Sequence, residues 1–255
     1  MRTPIFQIQN HKSFKEEYLK IMKVLSSKCV LYDKKNYTYF DFIDTYLFQH
    51  WNYRGTYLDC SSYLLSIGID LNHFHKIHEE AFFNFLEFLL NIQLLMESMK
   101  KMKSVTFSDT CQSILFHNIP YIIEEMGYSI YDLDDQVYLL PRDVTYDDFM
   151  DTIPNTLKEC MILYRSYNHQ GMKMKRMILS KMYPMMEKYK PNHTGVYMSM
   201  KHIVCKMGII GEIDKKYKGF SHYKLKKYYD YCFEMMCYLV NSHKIQQYRE
   251  EIKGE

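Results

Sequence analysis

Glycine and proline are scarce here, 9 and 6 residues in a chain of 255. A β-sandwich or barrel needs tight turns at short intervals, so this scarcity argues against either. Arginine is scarce too. Only Arg2, Arg54, Arg142, Arg165, Arg176 and Arg249 stand among 33 basic residues, and the rest are lysine. With abundant Tyr, Ile, Asn and Met, that usage points to an AT-rich genome such as a low-GC bacterium or its phage. Seven cysteines occur without a CxxC pair: Cys29, Cys60, Cys111, Cys160, Cys205, Cys232 and Cys237. An odd number in apolar surroundings reads as reduced, buried thiols of a cytoplasmic protein. The first residues contain no apolar stretch typical of a signal peptide. The longest apolar segment, Ala81 to Met96, is too short to span a bilayer and contains Asn84, Glu87, Asn91 and Gln93, so no membrane is expected. There is no GxxxxGK[ST], GxGxxG, GxSxG or HExxH motif.

What is present is core material. Apolar residues make up 47% of the chain and aromatic ones 16%, against a net charge of only +3. Disorder is excluded by that balance, and the global charge alone implies neither nucleic acid nor a membrane surface. The apolar residues recur near the helical period, and the expected class is mainly α, an irregular multi-helix bundle. Residues 1–12 read as an extended lead-in. Ser13 with Glu16 suggests a capping box opening a helix to about residue 27. Further helices are expected over about 39–50, 58–67, 73–103, 108–126 (bent at Pro120), 152–171, 172–188 (kinked at Pro184) and 194–207. A last helix opens at Ser221 and buries Leu225, Cys232, Met236 and Leu239, with a frayed tail after about residue 244. Along the 73–103 helix, Lys76, Glu80, Asn84, Glu87, Asn91 and Ser98 trace one narrow polar stripe. One small β-hairpin is expected near 128–140, turning at Asp134-Asp135. With no linker or repeat, a single domain over 1–255 is expected, with possible subdomains 1–126 and 144–255 around the hairpin.

Three constellations could hold chemistry. His75, His78 and Glu79 share a helix face and could hold a divalent ion. Residues of the first turn facing the helix dipole explain them as well, and neither a metal nor another cofactor is expected. Second, Arg165 and His169 precede Gly171, with Lys173, Lys175 and Arg176 beyond. His169 could act as a general base, and Arg165 or Arg176 could hold a phosphate through its planar fork. An ordinary helix–Gly–helix corner looks the same. Third, charge is split along the chain. Residues 132–159 carry 8 acids and 2 bases, whereas residues 165–227 carry 15 bases and 3 acids interleaved with Tyr and Met. Such a stretch can follow a nucleic-acid backbone while tyrosines stack on bases, though the lack of Arg disfavours base-edge readout. Packing of these basic helices on the acidic segment is the plainer alternative.

Tyr167-Asn168-His169, Gly171, Lys175-Arg176 and Leu179, followed by Tyr229-Asp230, resemble a group of uncharacterised helical proteins of low-GC bacteria and their mobile elements. The same features are distantly similar to HEPN-like domains of abortive-infection systems. The resemblance implies a helical fold. The RNase motif of those domains, Arg then four to six residues then His, is not matched, because only three residues separate Arg165 from His169. RNase activity therefore does not carry over.

The expected function is that of an intracellular binding or regulatory protein of a bacterium or phage, with defence as the expected setting. Lys173, Lys175, Arg176 and Lys181 of the 165–227 region would contact nucleic acid or an acidic partner. The alternatives are a phosphodiester hydrolase using His169 with Arg165 or Arg176, and a structural or oligomeric helical protein without ligand. Catalysis is the less favoured reading, and the oligomeric state stays open.

Overall fold

The computed structural model describes residues 13–71, 73, 77–101, 107–109, 112–166, 171–190 and 193–254. The chain forms two compact units, Met1–Pro141 and Arg142–Glu255. The fold is mainly α. No helix among the described residues is long and apolar enough to cross a membrane.

The first unit is built around α4 (Glu79–Lys101). Phe82, Phe83, Phe85, Leu86, Phe88, Leu89 and Ile92 of α4 are buried. A helix apolar on most of its faces must be covered on most of its faces. The cover comes from α1 (Phe14–Leu25), α5 (Gln112–Glu125) and the hairpin β4 (Tyr128–Leu133) and β5 (Gln136–Pro141). Pro120 lies inside α5 without ending it. Gly127, at φ +78°, ends the chain's helical course before β4, as a C-terminal cap requires. Ser13 occupies the N-cap position of α1, but its side chain makes no capping bond; its carbonyl accepts from Glu16 and Glu17 instead.

The β4–β5 hairpin falls where the sequence predicts it, and its two-residue turn, Asp134-Asp135, has φ of 48° and 62°. A second small sheet accompanies it. Strand β1 (Lys28–Tyr32) pairs antiparallel with β2 (Lys35–Thr38) and with β3 (Phe107–Asp109) in the order β2-β1-β3. Its turn, Asp33-Lys34, repeats the same backbone, φ 46° and 59°. Positive φ at both central positions is the type I′ hairpin turn, whose twist matches that of the flanking strands. This sheet adds to the hairpin expected from the sequence, and Ser108, read as a helix cap, belongs to β3. Helix α2 (Tyr39–Phe42) continues as a π turn (Ile43–Leu47) and a 3-10 turn (Phe48–His50), and α3 (Cys60–Ser66) follows.

The most informative contact of this unit joins α4 to β5. The backbone N–H of Val137 donates to Asn91 Oδ1 at 2.9 Å, and Asn91 Nδ2 donates to the Val137 carbonyl at 2.9 Å. One helical turn earlier, Glu87 Oε2 accepts from the N–H of Leu139 at 2.9 Å. Four helical residues rise about 6 Å. Two strand residues span about 6.8 Å, so positions i and i+4 of a helix match alternate positions on a strand edge. The polar stripe of α4 therefore acts in part as a third strand, satisfying an edge that would otherwise be open.

The second unit gathers α6 (Val144–Met150), α7 (Asn155–Arg165), α8 (Met172–Met182) and α9 (Thr194–Lys206) with the long α10 (His222–Gly254). Contacts to α6, α8 and α9 make α10 the hub. Pro184 does not kink α8; it opens a separate 3-10 segment, Tyr183–Tyr189. Gly208 closes the turn after α9 at φ +67°, where a Cβ would lie 2.8 Å from the backbone nitrogen of Ile213. Only glycine fits there. Helix α10 continues past residue 244 to Gly254.

Candidate nucleic-acid interface

Of the basic residues named from the sequence, Lys175 is buried and Lys173, Arg176 and Lys181 are exposed. Lys175 is 6% exposed, and its ammonium lies 2.6 Å from Asp230 Oδ1 and 4.4 Å from the Tyr164 ring centroid. The Tyr164 hydroxyl donates to the same Asp230 oxygen at 2.8 Å. The Tyr164 ring stacks on Phe233 at 4.1 Å between centroids. Burial, and then the neighbouring Asp230 charge, push the Tyr164 phenol far above its ordinary range. Lys175 and Asp230 thus meet across 55 positions of sequence as one half-buried ion pair. That lysine is committed within the unit rather than offered to a ligand.

The other named residues divide. The Arg176 guanidinium donates to the carbonyls of Gly211 at 2.6 Å and Ile209 at 3.4 Å, pinning the turn after α9. Lys181 lies 2.9 Å from Glu159. Arg165 places its guanidinium carbon 4.5 Å from the Tyr146 ring centroid, a cation–π contact. Lys173 is exposed. Ser166, next to Arg165, is fully buried, and its hydroxyl has no hydrogen-bond partner among the described residues. His169 lies outside the described residues, and so does His75. His78 and Glu79 are exposed where α4 begins. Among the described residues, no group of three or more His, Cys, Asp or Glu could hold a metal ion.

Basic residues do converge further along, within the same 165–227 region but at positions the sequence reading did not single out. Lys215, Lys216, Lys218, Lys224, Lys226 and Lys227 fall within 13 residues, and no acid occurs from Lys215 to Tyr229. All but Lys226 are exposed. Asp214 starts the segment by capping a 3-10 turn (Lys215–Tyr217) through the N–H of Lys216 and by pairing with Lys206 at 2.7 Å. Phe220 and Ser221 then lead into α10, where Ser221 Oγ accepts from the N–H of Lys224 at 3.3 Å, the predicted cap.

Aromatic rings are woven through these lysines. Lys224 sits 3.9 Å above Phe220, which stacks on Tyr228 at 5.8 Å. Lys227 lies 5.6 Å from the Tyr231 ring, and that phenol beside it holds the ammonium above the usual lysine range. Tyr223, Lys227 and Tyr231 follow one another at intervals of four along one helix face, and Tyr223 is 80% exposed. A bare tyrosine ring flanked by lysines costs solvation without adding to the core. Its interleaving with charge was the one available sequence signal, diluted by the breadth of the 165–227 segment.

Two cavities lie among other described residues. One of about 390 Å³ in the first unit is lined by Trp51, Tyr53, Asn91 and Glu97. One of about 570 Å³ in the second lies beside Ile153, Tyr189, Val240 and Tyr248. Comparison with family models, curated proteins and solved structures gave no match.

Proposed function

We propose that this protein binds nucleic acid through the lysine–tyrosine surface of residues 215–231. The observation that carries the reading is the run of exposed lysines, free of acids from 215 to 229, around the open ring of Tyr223. Lysines are compact point charges that attract phosphates without reading base edges, so the binding is largely independent of sequence. An exposed ring on a helix can stack only on a base that is not already stacked in a duplex, so single strands are favoured. The charge of the two units supports the same reading. The first has 13 basic and 17 acidic residues, a net of −4; the second has 20 and 13, a net of +7. Attraction for a polyanion is therefore concentrated on the second unit.

Fluorescence anisotropy with labelled single-stranded DNA and RNA tests this. Each neutralised phosphate on a single strand contributes about −0.7 to the slope of log K against log salt, so four to five lysine contacts give a slope near −3. Replacing Lys215, Lys216, Lys218, Lys224 and Lys227 by Ser should abolish that slope. Wild-type retention no stronger than that of the five-fold variant at low salt would discard the reading.

A further inference from the structure

The helix–strand pairing of the first unit ends at a cavity. Glu87 meets Leu139 and Asn91 meets Val137, so each step is four residues along α4 and two back along β5. The next step sets Leu95 against Asp135, and both line the cavity of about 390 Å³. A leucine side chain cannot bond a strand edge, the hairpin turns here, and the space opens. Its size is within the range usual for small-molecule sites.

Trp51 and Tyr53 form another part of the wall. The Tyr53 hydroxyl donates to the Asp134 carbonyl at 3.0 Å, tying the 3-10 turn of Asn52–Arg54 to the hairpin. The Trp51 ring packs edge-on against Tyr63 and Phe88, with centroids 5.0 and 5.4 Å away. Trp51 is only 6% exposed. Its indole N–H bonds to no described residue and is not sealed from solvent. A buried indole N–H normally finds an acceptor, and the cavity is the space in which one can sit.

The charged part of the lining has one sign. Glu97 and Asp135 are exposed there, and no Lys or Arg lines the cavity among the described residues. The Gln93 amide donates to Glu97 at 3.1 Å, but neither carboxylate pairs with a cation among the described residues. Leu94 and Leu95 add a half-buried apolar surface. The first unit as a whole is acidic, with 13 basic and 17 acidic residues, so anions are repelled.

We infer that this cavity binds a small amino alcohol. The ammonium pairs with Glu97 and Asp135, the hydroxyl oxygen accepts from the Trp51 indole N–H, and the carbon body lies on Leu94 and Leu95. Two carboxylates alone would hold no more than hydrated counter-ions. The unbonded indole donor adds the demand for an oxygen, and the leucines add the demand for carbon. The inference is independent of the nucleic-acid reading, which uses the second unit.

Equilibrium dialysis of the full chain tests it with three probes on one skeleton: phenylethanolamine, a cation; styrene glycol, neutral; and mandelate, an anion. Trp51 is the only tryptophan of the chain, so its emission reports whether a bound probe sits at the cavity. The amine should bind with a dissociation constant of about 0.1–10 mM, the scale open to so few heavy atoms. The glycol should bind about tenfold more weakly, and mandelate more weakly still. Glu97→Gln combined with Asp135→Asn should bring the amine down to the level of the glycol. Both positions are exposed, and Asn suits the positive φ at 135, so the fold persists. Binding that is absent, or equal for the three probes, would overturn the proposal. So would binding that leaves the Trp51 emission unchanged, or a double variant that still prefers the amine.

Discussion

Asn91 and Val137 exchange two hydrogen bonds, each 2.9 Å, so that a side chain on a helix pairs with a strand as another strand would. Both partners are buried. The arrangement explains why an otherwise apolar helix keeps an amide at its centre, since an edge strand buried against Leu or Phe would leave its N–H and C=O unpaired.

Asn91→Leu should therefore destabilise the first unit by about 2–4 kcal/mol, the cost of leaving one buried donor and one acceptor unsatisfied. Asn91→Asp should cost at least as much. It keeps the acceptor for the Val137 N–H but turns a carboxylate towards the Val137 carbonyl, oxygen against oxygen. Urea unfolding at neutral pH measures both. An Asp variant as stable as wild type would mean that the carbonyl side of the pair contributes nothing.

The ion pair of Lys175 and Asp230 is asymmetric, with side chains 7% and 37% exposed. Losing the buried partner leaves a carboxylate that water can still reach. Losing the exposed partner strands an ammonium with no anion and removes the acceptor of the Tyr164 hydroxyl. Asp230→Ala should thus cost about 3–5 kcal/mol. Lys175→Met, which keeps the packing volume, should cost nearer 1 kcal/mol, within the range for a partly screened pair. Equal losses in thermal unfolding experiments would contradict this assignment of burial.

These two sites mark how far the sequence could be read. The helical period located α4, α7 and α10, and the change of period located β4–β5, because both signals are local. The polar stripe on α4 was visible as well, but a stripe facing water and one facing a strand edge have the same spacing, and Val137 lies 46 residues beyond Asn91. Lys173 and Lys175 looked equivalent on a basic helix; Asp230, 55 residues later, decides which is buried. The β1–β2 hairpin leaves little sequence signal because its strands are 5 and 4 residues long and its turn is Asp-Lys rather than Asn-Gly. Short strands need a third strand to hold them, and β3 pairs with β1 from 75 to 79 residues away.

Titration should expose the buried acids of the core. Burial pushes the thiols of Cys60 and Cys232 up to about 12 and that of Cys160 up to about 11, from an ordinary 9.0. Burial, and then Asp70, push Tyr18 up to about 12 from 10.0. Folded-state values above the unfolded ones mean that this stability is complete below about pH 9 and is lost as pH rises towards 11–12, because the unfolded chain releases its protons first. Melting temperature should be flat from pH 7 to pH 8.5 and fall steeply above pH 9. Thiolate is the reactive form, so brief alkylation at pH 8 should label exposed Cys205 and spare Cys60, Cys160, Cys232 and Cys237. Rapid labelling of those four in native protein would show that their burial is transient.

Tyr223 separates stacking from charge. Tyr223→Ala removes an exposed ring and no charge, so it should leave the salt slope of binding unchanged while weakening single-stranded DNA by about 1–3 kcal/mol. Tyr223→Phe retains the ring and should bind as wild type does. Duplex DNA, whose bases are already stacked, should lose little with either substitution. Replacing Lys227, one turn along the same face, should do the reverse: it should reduce the slope by about 0.7 on single strands and weaken all nucleic acids alike. If Tyr223→Ala proves neutral on single strands, or if it weakens duplex equally, the ring is not a stacking platform and the surface acts by charge alone.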